Sequence, residues 1–267
     1  MKQTTASSLP FTVRAFGALG LAVLALAGLR AAAIAEDAPA PTLPDAINVA
    51  DVAAEAESLI ENNAEKLASA DEYGKGKKLV EQQAAILAVL AQAVGLKESG
   101  VAWQPTAFEI RDASMVLAKA ASYEDAQKAQ AEITKLLGGE SQGMANPIPW
   151  HDITGLGTIM KEVTKRNTLV RRPIIRKTTF DQGKEAGARS TAVLAVMLTA
   201  ARDDTHEVEN SEDIPVWQKF ADEARDGLIE LARVFKEGDQ PEARTQFLAV
   251  SKSCKQCHDK FRPDATF

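Results

Sequence analysis

The chain is nearly devoid of cysteine and histidine, with two and three in 267 residues. Both cysteines, Cys254 and Cys257, fall within four positions near the C-terminus. A disulfide between them would close so small a loop that it would remove little chain entropy. A structural zinc site usually takes two such pairs, and only one is present. A thioredoxin-like pair needs a preceding strand, and sustained period-two alternation is missing throughout, so no sheet is expected. Positive charge is also short. Lys and Arg number 31 against 37 Asp and Glu, a net charge of −6. That balance argues against nucleic acid or an anionic membrane surface as partner and is consistent with a basic one. Long apolar runs are missing too. The one candidate, Phe16 to Leu29, is 14 residues, short of the ~20 that span a bilayer.

That run has a different reading. Lys2 and Arg14 precede it, Arg30 closes it, and Ala33 and Ala35 stand at small-residue positions before Glu36. This is the layout of a cleaved secretory signal over residues 1–35, with an uncleaved anchor as the alternative. That segment holds no twin arginine, which favours the general secretory route and a periplasmic, soluble mature protein with no stable membrane insertion. Cleavage would leave 28 basic and 37 acidic residues, a net charge of −9. Residues 36–46, "EDAPAPTLPDA", read as an exposed extended lead-in.

Beyond it the pattern is helical, with apolar residues recurring at three and four. Eight helices are predicted, at about 47–70, 74–95, 103–121, 123–137, 155–172, 179–202, 216–236 and 240–262. "SYED" from Ser122 and "DQPE" from Asp239 look like capping boxes. Gly138 and Gly139 end the fourth helix, Pro173 closes the fifth, and residues 138–152 have the composition of a linker. The stretch from Trp103, "WQPTAFEIRDASMVLAK", recurs from Trp217 as "WQKFADEARDGLIELAR", at an offset of 114. "AILAVL" from Ala85 recurs as "AVLAVM" from Ala192, at an offset of 107. Trp-Gln and Arg-Asp recurring in register point to a true internal repeat. The expected fold class is all-α, two tandem four-helix bundles at 47–137 and 153–267. The two are read as separately helical units, with packing through a shared helix face as the alternative.

The chemistry sits in the second copy. In "CKQCH" the spacing puts Cys254, Cys257 and His258 on one helical face. Two thiols so placed can add across the vinyl groups of one haem, and the adjacent imidazole can bind the iron. This is the usual c-type haem attachment signal. The offset of 114 sets Glu140, Gly143 and Met144 opposite these residues, so the first copy is expected to bind no haem covalently.

A helical bundle with CxxCH in its last helix, followed by Phe261 and Arg262 in "CKQCHDKFR", resembles the class II cytochromes c, the cytochrome c′ type and its low-spin relatives. The resemblance covers about residues 153–262 and, weakly, the first copy as a degenerate relative. It departs from the family in its tandem arrangement and its long loop at 203–215. It implies one covalent haem c, with Cys254 and Cys257 as thioether links and His258 as proximal iron ligand. Phe261 could pack on the haem edge and Arg262 could pair with a propionate; core packing and a solvated helix end are the alternatives. In the family the sixth iron position faces the first helix of the bundle. Met160 is the candidate distal ligand on that helix, and a thioether there favours a low-spin electron carrier. Alternatively Met160 is a core residue, and the distal site is open to gas or blocked by Ile159 or Val163. Lys161, Lys165 and Arg166 read as a solvated face, His206 as a surface residue, and His151 as a cap of the next helix. Trp103 and Trp217 read as packing residues. The functional expectation is electron transfer with a redox partner protein of basic surface, and not an enzyme. Binding of diatomic gases (NO, CO) and a partner-bound role with a mainly structural haem stay open, as does a homodimer.

Overall fold

The computed structural model describes residues 41–264 apart from Ser99, Gln142 and Met144. The signal reading over 1–35, the start of the lead-in and Met144 therefore lie outside the described residues. Several helices begin where a short polar side chain can satisfy orphan backbone donors. Asn48 accepts from Ala50 and Asp51 and opens α1, Val49–Lys66. Ser69 accepts from Glu72 and opens α2, Ala70–Gly95. A 3-10 turn around Pro105 leads into α3, Ala107–Ala118. Ser122 accepts from Asp125 at the head of α4, Tyr123–Leu137.

A helical turn, α5, covers Trp150–Ile153. It is followed by α6, Leu156–Arg171, and α7, Lys177–Asp203. Pro215 lies in the first turn of α8, Ile214–Glu237, and Asp239 accepts from Glu242 at the start of α9, Gln240–Phe261. Helix is the only regular structure among the described residues, which makes the chain all-α.

Several features differ from the sequence reading. The second helix starts at residue 70, not 74, because Ser69 and Glu72 form a capping pair and Gly74 and Gly76 are carried inside the helix. The linker is not continuous coil: α5 buries Trp150 and Ile153 in the core. The lead-in is not wholly exposed either, since Leu43 is buried and Asp45 pairs with Lys97 at 3.0 Å.

Consecutive helices pack as antiparallel neighbours within each half, α1 to α4 and α6 to α9. The two halves then meet through α1 and α2 on one side and α6 and α7 on the other. In α2 every residue from Ala84 to Val94 is buried, and in α7 every residue from Ser190 to Ala201. A helix buried all round sits at a core, and these two form the centre of one compact unit.

Polar side chains tie the connection to that centre. Buried Arg111 donates to the carbonyl of Asn146 and to Gln92, and Gln92 bonds both backbone groups of Ile148. The expectation of a solvated basic face on α6 fails at one residue. Lys161 and Lys165 are exposed, but Arg166 is buried on the side of α6 that faces the first bundle, where it pairs with Glu55 of α1.

Aligning the two halves on their caps gives a different register at the end of the expected repeat. Ser122 and Asp239 occupy the same capping position, so α4 and α9 are related by an offset of 117. The positions opposite Cys254, Cys257 and His258 become Leu137, Glu140 and Ser141. Leu137 is the last residue of α4, and the chain turns away at Gly139 with φ of 87°. The first copy therefore lacks both the thiols and the helical turns that would carry them.

Candidate functional site

The last turns of α9 present Cys254, Cys257 and His258 to one cavity of about 220 Å³ in the second bundle. Leu194, Leu198 and Ala201 of α7 line it, as do Phe220, Ala224 and Leu228 of α8 and Phe247 and Val250 of α9. The remaining wall is α6, with Met160, Val163, Thr164, Asn167 and Val170. Thus α6 and α9 face each other across it and barely touch, whereas their counterparts α1 and α4 pack directly. Helix α9 is seated on α8 by a close approach at Gly227, where a Cβ would stand 2.8 Å from Val250 Cγ2. Ser253 adds a hydrogen bond to Glu223 at 3.3 Å.

Burial governs the electrostatics. Desolvation pushes the Cys254 thiol up to about 11. It does the same to Cys257, also to about 11, with Cys254 beside it adding to the effect. His258 is shifted down, first by burial and then by Arg262, against the opposing influence of Asp259. Near neutral pH the site therefore offers two protonated thiols and a neutral imidazole, the form of histidine that binds metal.

Of the other sequence-predicted residues, Met160 and Val163 reach the cavity, and Ile159 points into the core with 1% exposure. Phe261 and Arg262 are not among its lining residues. Phe261 meets Trp217 edge-on at 5.3 Å, and Arg262 pairs with Glu207 of the long loop at 3.1 Å. Trp217 donates to the carbonyl of Ala201, so that aromatic pair braces one wall of the cavity. His206 is exposed and bonds Asp204 at 2.7 Å. Asp204, rather than His151, accepts from Leu156 at the head of α6.

The apolar walls were not singled out from sequence, although the repeat carried a signal for them. At equivalent positions the second copy has Ala201 and Ala224 where the first has Val94 and Ile110, both fully buried. Small side chains in only one of two related bundles mark where space is kept.

Residues 159–262 match the family model described as cytochrome C′. Searches of the curated proteins and of the solved structures found no match. The family implies a haem c cofactor, and the site suits one. The walls are mostly apolar, as a macrocycle requires. Two thiols and an imidazole share one helical face, and a second helix stands opposite without closing on it. Residues 159–262, where the last helix carries CxxCH to a mostly apolar cavity, are thus similar to the cytochrome C′ family.

Proposed function

We propose that the mature chain is a periplasmic monohaem c-type cytochrome that transfers electrons and is not an enzyme. The observation that carries this reading is the convergence of Cys254, Cys257, His258 and Met160 on a single apolar cavity. When bound, haem c supplies one-electron exchange between ferric and ferrous iron. The residues around it do the rest. Cys254 and Cys257 would hold it as two thioethers. His258 would stand as the proximal ligand, and Met160, on the facing helix, as the distal one. Leu194, Leu198 and Phe247 exclude water, and a dry site disfavours the more highly charged ferric state. The acidic surface of the mature chain suits a basic redox partner.

A second reading is favoured by one observation: Met160 shares the α6 wall with Val163 and Val170, which offer iron no ligand atom. If Met160 does not reach the iron, that wall makes a pocket for a diatomic gas. Two measurements on the purified holoprotein separate these readings. The denatured chain should weigh one haem more than its polypeptide. The ferrous spectrum should be low-spin and unchanged by carbon monoxide. A high-spin ferrous spectrum that shifts with carbon monoxide would replace electron transfer with gas binding.

A further inference from the structure

Arg166 is the one basic residue of α6 that the fold buries, at 2% exposure, and it is buried between the two bundles. Its guanidinium lies 2.7 Å from Glu162 of the same helix, itself 3% exposed. It donates to Glu55 of α1 at 2.5 Å. Lys165 lies 3.6 Å from the other oxygen of Glu162. Charges this deeply buried are costly unless paired, and removing one partner leaves the others uncompensated. The triad therefore locks α6 to α1 at one position.

Residues 162 and 166 point away from the cavity, and Met160, Val163 and Asn167 on the other side of the same helix line it. No direct packing against α9 sets the position of α6, because those two helices barely touch. The distance of α6 from His258 is fixed instead by its packing on α7 within the bundle and by what grips it from behind, α2 and the pair of Arg166 with Glu55. From these observations we infer that the first bundle, which carries no haem motif, serves to position the distal wall of the haem site. Glu55 and Arg166 act as positioning residues that hold α6, and with it Met160, at a set distance from His258. This rests on the reading that the cavity between α6 and α9 takes the haem.

The experiment uses the full-length holoprotein and three variants. Glu55→Gln removes the charge from a residue near the edge of the interface. Arg166→Met removes the other partner while keeping an apolar stem. Lys236→Gln breaks a different contact between the bundles, the 2.7 Å pair of Lys236 with Asp51, which does not involve α6. Haem content by mass, melting temperature and the association rate of carbon monoxide with the ferrous protein are measured for each. Glu55→Gln should retain haem yet bind carbon monoxide at a measurable rate, where the wild type, with Met160 held on the iron, does not. Arg166→Met should do so more strongly, and Arg166→Lys should return part of the way to wild type. Lys236→Gln should leave the rate unchanged whatever it does to melting. Equal rates in wild type and Glu55→Gln, or the same gain of binding in Lys236→Gln, would overturn the proposal and leave the triad as a stability element. A wild type without haem would instead defeat the underlying reading, and its mass shows this before any rate is measured. Should Arg166→Met fail to fold, the comparison of Glu55→Gln with Lys236→Gln still decides.

Discussion

Desolvation is what sets the three motif residues apart from others of their kind. In a chain produced without haem, burial holds both thiols up to about 11, while the unfolded chain titrates them near ~8.5. Their contribution to stability is whole below about pH 8.5 and is lost as pH rises from there. His258 moves the other way. Its proton is held less tightly in the fold than in the unfolded chain, where it titrates near ~6.5. Its contribution is whole above about pH 6.5 and is lost as pH falls through that value. Urea midpoints of the haem-free chain should therefore fall on both sides of a plateau between about pH 6.5 and 8.5. Replacing both cysteines by Ala should flatten the alkaline limb specifically, and an alkaline limb that survives would refute the account. Met160 belongs to this scale as well. If it is the distal ligand, Met160→Ala should abolish the near-infrared sulfur-to-iron band of the ferric protein, lower its potential and admit carbon monoxide. Met160 is half-buried, so the truncation should cost less stability than the ~2–5 kcal/mol of a fully buried methionine.

The two bundles show how one helix pattern closes in one copy and stays parted in the other. The offset of 107 that relates α2 to α7 also brings the start of α1 onto that of α6. Met160 and Val163 then correspond to Ala53 and Ala56, both buried. Small residues let α1 approach α4, and Gln130 of α4 bonds the carbonyl of Ile60 across the seam. In the second copy Phe247 stands at the position of Gln130 and lines the cavity. Exchanging the wall residues should therefore convert one kind of bundle towards the other. The pair Ala201→Val and Ala224→Ile, which copies the first bundle, should reduce haem loading at least tenfold. It should also raise the melting temperature of the haem-free chain, since each methylene that fills the space contributes at most about 0.8 kcal/mol. Normal haem content in that double variant would show that these two positions do not govern the space.

Considered as a whole, the molecule is organised about the α2–α7 pair. Each of these helices is buried on every side over three turns, and the flank of α7 that α1 and α2 cover belongs to neither bundle alone. Residues 153–267 expressed alone would expose that flank and leave Arg166 and Glu162 without Glu55. The fragment should stay helical by circular dichroism but melt well below the full chain and self-associate in sedimentation. A monomeric fragment with the melting temperature of the full chain would mean that the two bundles are energetically independent. The buried bonds from Arg111 and Gln92 to residues 146 and 148 also predict slow proteolysis there, despite a composition that reads as linker.

The sequence by itself determined the class of structure and the chemistry of the motif. Helical periodicity and caps depend on residues a few positions apart, and so does the common face of Cys254, Cys257 and His258. Such local relations survive any tertiary arrangement. Even the boundary at Ser69 was written in a capping pair, one that Gly74 and Gly76 obscured. Relations between helices were not local and had to await the fold. Whether Arg166 is solvated or buried depends on α1, more than a hundred residues away. Whether Phe261 and Arg262 face the cavity depends on Trp217 and Glu207, which take them up. The space itself could be read only as a difference between two copies, because a cavity is a property of four helices together. Tertiary structure alone decided that α6 stands apart from α9, since α6 packs on α7 and α2 and not on α9.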